Sequence, residues 1–144
     1  MAEPRREQDH PHMARESRQV YAGIYLSRVQ GIVYALSGLW PVFHLRSFER
    51  VTGPKADGWL VKTVGLLLAV IGGVLWRASV RSTTTSDLAL VGAGSAAALA
   101  TIDVVYASQG RISRIYLLDA LMQAGFVAGW ALWLRGRSAQ DAGN

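Results

Sequence analysis

A chain of 144 residues has room for one compact domain, and one that is 51% hydrophobic with only 17% charged residues is too apolar for an ordinary water-soluble domain of that size. The absence of cysteine excludes disulfides, cysteine nucleophiles and thiolate metal sites. A formal charge of +5 points to anionic lipid headgroups rather than nucleic acid, because the lysines and arginines gather in a tail and beside apolar segments instead of along one soluble face.

Residues 1–19, MAEPRREQDHPHMARESRQ, contain no apolar run and predict a disordered, mixed-charge N-terminal tail, neither a signal peptide nor a packed element. His10 and His12 flank Pro11 there and are expected to be solvated rather than to hold a metal. Four apolar segments follow, over about 29–45, 59–76, 88–106 and 115–134, bracketed by arginines such as Arg28, Arg46, Arg114 and Arg135. At about 1.5 Å of rise per residue, each helix covers a hydrocarbon core of roughly 30 Å. Backbone polar groups must be satisfied internally in lipid, so helices are the natural solution. The short connections carry turn chemistry: Gly53-Pro54 and Asp57-Gly58, then RASVRSTTTS with Ser86 or Asp87 as the cap of the third helix, then SQGRIS with Ser113 as the cap of the fourth. Short connections make neighbours antiparallel. The expected fold is therefore all-α, an integral membrane four-helix antiparallel bundle over 20–135 with a short polar tail over 136–144.

Trp40, Trp59, Tyr106 and Tyr116 then fall near one interface, and Tyr21, Tyr25, Trp76, Trp130 and Trp133 near the other, as aromatic belts do. The tail, the 77–86 connection and the C-terminus share a side with nine of the fifteen lysines and arginines, against six opposite. The positive-inside bias places both termini in the cytoplasm, in the bacterial inner membrane.

Lys62 opens the most apolar run of the chain. In an antiparallel bundle, His44, Lys62, Asp103 and Asp119 occupy four helix ends on one side of the membrane, within roughly 8 Å of one depth. An aspartate or lysine at a helix centre costs about 2.5–3.5 kcal/mol on insertion scales, and aspartate cannot snorkel, so Lys62 is expected to face Asp103, Asp119 or both. Two acids against one lysine leave one acid to find an arginine, a proton or a ligand. Gln30, Tyr34, Ser37, Pro41 and His44 line one face of the first helix, and Gln123 shares a face with Asp119. The candidate proton- or ligand-binding residues are thus Lys62, Asp103, Asp119, His44 and Gln123. Small residues repeat at Gly65, Ala69 and Gly73, at Gly92, Ala96 and Ala100, and at Ala120, Ala124 and Ala128, with Gly31, Ala35 and Gly38 offering a similar strip, and predict close helix packing without a wide pore. The stretch SFERVTGPKADG, residues 47–58, either lids the polar pocket or links two helices.

Trp40-Pro41, SFE at 47–49, GPK at 53–55, WLVKTVG at 59–65, Asp103 and YLLDA at 116–120 together resemble a family of uncharacterised small four-span bacterial membrane proteins, over about residues 28–134. In span count and size the chain also looks like the DoxX-like four-helix membrane proteins, some of which resemble accessory subunits of redox systems. Neither resemblance carries over a catalytic residue.

Three functions compete on these observations. The first is a membrane protein with a Lys/Asp pocket near the non-cytoplasmic face that binds a small molecule, lipid headgroup or proton. The second is a structural or accessory subunit that docks a partner membrane subunit or a second copy through its small-residue stripes. The third is a dimeric proton- or cation-coupled transporter. An enzyme is less supported, since HExxH, GxSxG and phosphate-loop motifs are missing, and the glycines fall at packing rather than nucleotide-binding spacing. No cofactor, metal or nucleic-acid partner is expected.

Overall fold

The computed structural model describes the backbone of residues 9–54 and 56–141 and the side chains of 16–54 and 56–139. Residues 1–8 of the expected tail, the side chains of His10 and His12, and Lys55 in the first connection lie outside that description. Among the described residues there are four helices and no strand: α1 (Asp9–Thr52), α2 (Gly58–Val80), α3 (Ser86–Ser108) and α4 (Tyr116–Asp141). The helices α2, α3 and α4 are long and apolar enough to cross a membrane. The expected first span lies within α1, where Gln30, Tyr34, Ser37 and His44 lower its apolar character.

Two ends differ from expectation. The helix α1 starts at Asp9, well inside the stretch expected to be a disordered tail, and α4 runs on to Asp141, past its expected end at 134. Each extension supports the other. Trp133 donates its indole N–H to the Gln19 carbonyl at 2.9 Å, and Arg137 lies over the Trp133 ring while donating to the Thr84 carbonyl at 3.4 Å. The cap of α3 is Thr85, whose hydroxyl accepts from the Leu88 N–H at 3.2 Å. Thr85 has the extended backbone an N-cap requires, whereas Ser86, one of the two expected caps, is already helical. Gly53, with φ of +89°, supplies the left-handed turn that stops α1.

The inward positions of α2 are Gly58, Val61, Gly65, Leu68, Gly72, Leu75 and Ser79, and those of α4 include Asp119, Gln123, Phe126, Trp130 and Trp133. Both alternate steps of three and four, the pattern of left-handed packing. On α1 the matching glycines are Gly31 and Gly38. Gly38 meets Gly65, and a Cβ on Gly72 would lie 2.6 Å from the Ala35 nitrogen and 2.7 Å from the Gly31 oxygen, so these two antiparallel backbones touch. The expected stripe at Gly65, Ala69 and Gly73 is thereby corrected: Gly73 faces open space. The stripe at Gly92, Ala96 and Ala100 faces inward on α3, but Ala124 and Ala128 of α4 face outward.

The helix α1 packs on α2 and α4, α3 packs on α4, and α2 scarcely touches α3. The bundle is filled at one end and splayed at the other. At the filled end, Leu75, Ala89, Ala96, Phe126, Trp130 and Trp133 form the core. Trp130 and Trp133, expected at the interface, are buried there with rings edge to face and centroids 5.9 Å apart. Gly92 makes room for Trp130: a Cβ at that position would come within 2.5 Å of its indole nitrogen. Trp59, Tyr21 and Tyr25 are exposed, as an interfacial belt requires.

Candidate functional site

At the splayed end a cavity of about 600 Å³ lies between the last turns of α1 and α3 and the first turns of α2 and α4. Its wall is mainly aliphatic and aromatic, with Trp40, Pro41 and Phe48 from α1, Val61 and Leu68 from α2, and Leu99 from α3. Its polar floor is made of Tyr34, Asp103, Asp119 and Gln123.

The local sequence of α1 shapes one wall. Pro41 removes a backbone donor, and at His44 the backbone leaves helical geometry (φ −138°, ψ 63°) before the helix resumes. The bend is held by the Trp40 indole, which donates to the Ser47 hydroxyl at 2.8 Å, and by that hydroxyl, which donates to the His44 carbonyl at 2.9 Å. Trp40 and Phe48 meet edge to face with centroids 5.7 Å apart. The SFERVT part of the stretch expected to lid or link is therefore helical, and its Phe48, Val51 and Thr52 line the cavity.

Asp103 reaches the floor because it continues the inward stripe Ala89, Gly92 and Ala96, whose small side chains bring α3 close to its neighbours. It is 5% exposed, and its Oδ2 is buried with no hydrogen-bond partner. Asp119 stands in the first turn of α4, where the helix N-terminus favours negative charge. Asp103 and Asp119 line the same cavity, and two carboxyls held near each other in an apolar interior cannot both carry a charge cheaply. A directed chain fixes the rest. Ser95 donates to the Tyr34 hydroxyl at 3.4 Å, Tyr34 donates to Gln123 Oε1 at 3.0 Å, and the Gln123 amide faces both Asp119 oxygens at 3.4 Å. Deeper in, Trp130 donates to Gln30 Oε1 at 2.6 Å and Gln30 donates to the Gly92 carbonyl at 2.8 Å.

Three of the five expected site residues, Asp103, Asp119 and Gln123, thus come together. Lys62 does not: it is exposed and lines no part of the cavity, because the inward seam of α2 passes through Val61 and Gly65, beside it. His44 is exposed at the bend and also stays outside the cavity. Among the described residues no lysine or arginine lines the cavity, so of the arginine, proton or ligand left open for the spare acid, the arginine is not found there. Tyr34 and Ser95 complete the site without having been expected in it. Tyr34 was visible as the residue one turn beyond Gln30, on the polar face of the first helix. Among the described residues no three His, Asp or Glu side chains cluster as metal ligands.

The class defined at this point is an all-helical bundle with three membrane-length apolar helices and an apolar cavity floored by paired acids. No family model, curated protein or solved structure matches the chain.

Proposed function

We propose that the protein is an integral membrane protein of four spans whose Asp103–Asp119 pair binds a proton and a small ligand near the non-cytoplasmic face. The observation that carries this reading is Asp103 Oδ2, a buried acceptor without a donor, at the floor of a cavity large enough for a small molecule. A buried polar atom left unpaired costs about 1–3 kcal/mol, more for a charged group, and an interior that tolerates this is set up for a partner it does not itself supply.

The fourth span is α1, whose polar residues Gln30 and Tyr34 turn inward and are satisfied by Trp130, Gly92 and Gln123. In that reading exposed Leu66, Leu67, Val70, Leu90, Leu121 and Leu132 face lipid. The nine-to-six split of basic residues supports an orientation with both termini in the cytoplasm of a bacterial inner-membrane protein, in keeping with the resemblance to small four-span bacterial proteins. A second reading, docking of another copy or a partner subunit, draws on the outward-facing Ala124, Gly125 and Ala128 of α4.

The test is infrared spectroscopy of the protein in lipid nanodiscs. The expected result is the carbonyl stretch of a protonated, buried carboxyl that disappears in Asp103→Asn and persists in Glu49→Gln. A spectrum without that band, or one unchanged by Asp103→Asn, refutes the shared-proton site.

A further inference from the structure

We infer that the ligand of this cavity is a lipophilic monovalent ammonium compound, an amine with an N–H and an apolar body, taken up from the lipid. The inference rests on the proposed function above and specifies its ligand class.

Charge comes first. Two carboxyls lining one apolar cavity hold a single negative charge between them far more cheaply than two, and among the described residues no lysine or arginine lines the cavity to balance it. An uncompensated charge in an apolar cavity is costly, so the complement is one positive charge rather than two. Hydrogen bonding comes second. Gln123 aims its amide at Asp119, whereas Asp103 Oδ2 has no donor and is left as the open acceptor. A protonated amine supplies the missing donor and the charge in one group, whereas a bare alkali ion supplies no donor and would require several oxygens.

The wall selects the remainder of the ligand. Trp40 and Phe48 line the cavity, and aromatic side chains suit both an apolar body and a cation. Leu60, Val64, Ile115, Leu118 and Met122 both line the cavity and are exposed on the outside of the bundle. The mouth is therefore rimmed with aliphatic side chains and opens where α2 and α4 face lipid, the route of a molecule already partitioned into the bilayer. The titratable groups lining the cavity are Tyr34 from α1, Asp103 from α3, and Tyr116 and Asp119 from α4; α2 contributes none. Binding is thus set by the acid pair. A second proton neutralises it and competes with the amine, so affinity falls as pH falls.

Three probes of one ring system and different charge test this: naphthylmethylamine, naphthylmethanol and naphthylacetate, measured by equilibrium dialysis against the full chain in nanodiscs and against empty nanodiscs. The expected result is that the protein-dependent affinity for the amine exceeds that for the alcohol by roughly tenfold to a hundredfold, the worth of a charge-assisted hydrogen bond. The preference should shrink as pH is lowered and vanish in Asp103→Asn, while the acetate gains nothing from the protein. Circular dichroism checks that Asp103→Asn retains its helices, and Asp119→Asn, which leaves Asp103 as the one carboxylate, provides a second variant expected to keep the amine preference; its loss there with the helices intact counts against Asp103 as the acceptor. Equal binding of amine and alcohol, or preference for the acetate, overturns the ammonium assignment. If none of the probes binds but the protonated-carboxyl band is present and depends on Asp103, the ligand class is wrong and the proton site stands; if the band is missing as well, both fall.

Discussion

Adjacent glycines on α2 separate two descriptions of how the first two helices meet. A stripe repeating every four residues predicts Gly73 at the contact, whereas the structure puts Gly72 there and leaves Gly73 with nothing within 4 Å of the place a methyl group would take. In Gly72→Ala the new methyl would lie 2.6 Å from the Ala35 nitrogen and 2.7 Å from the Gly31 oxygen, both backbone atoms that cannot rotate aside. The helices must separate by roughly 0.8 Å to reach ordinary contact, and a gap of that size forfeits about a quarter to a half of the dispersion energy of each atom pair along the seam. Overpacking of this kind costs about 1–3 kcal/mol, partly offset by the helix propensity gained over glycine. Gly73→Ala meets no neighbour and gains up to about 1 kcal/mol from propensity alone. Unfolding in mixed micelles with rising dodecyl sulfate, followed by helical circular dichroism, reads both variants against the natural protein. Equal destabilisation by the two substitutions, or a larger loss for Gly73→Ala, would refute the seven-residue seam.

Further outcomes are expected in the same assay. Gln30→Leu and Trp130→Phe each strip one partner from a buried 2.6 Å hydrogen bond and should cost about 1–3 kcal/mol, while the double variant costs less than the sum. Tyr34→Phe leaves Gln123 Oε1 without its donor and should cost a similar amount, whereas Ser37→Ala, at an exposed hydroxyl bonded only to its own helix, should change little. Lys62→Met should stay within about 0.5 kcal/mol of the natural protein, as an exposed position outside the cavity does; a loss of several kcal/mol would restore an ion pair with the acids.

Much of the helical layout was legible because apolar runs of membrane length, arginine end markers and turn residues all agree over 59–76, 88–106 and 115–134. The inward placement of Asp103, Asp119 and Gln123 was legible too, since aspartate has no low-cost alternative to an interior position in an apolar helix. Lys62 misled for the converse reason. A lysine has a long stem and can leave a helix end toward water, so its sequence position near the acids says little about which way it points. The lengths of α1 and α4 were hidden because their extensions hold no apolar run; they are polar helices supported by Gln19, Trp133 and Arg137 across a contact distant in sequence. The tryptophans of α4 misled by chemistry. Indole is at home in an interface, but Trp130 and Trp133 recur at the seam spacing of Gln123 and Phe126, and that period outweighs the aromatic preference.

The same seam explains why one end of the bundle is filled and the other hollow. Along α4 the inward positions pass from Trp133, Trp130 and Phe126, which fill the interior, to Gln123, Ala120 and Asp119, which are shorter. Across from them stands Asp103 on α3, again short, where leucine would close the gap. The cavity therefore follows from residue size at positions whose helical phase is unchanged, and bulkier apolar residues there would bury more surface and remove two acids from the interior. Keeping a hollow floored by carboxyls forgoes that stability, and such departures from the best-packed solution are expected where a protein binds something. The filled tryptophan end holds the four helices in register, which leaves the acid end free to remain open.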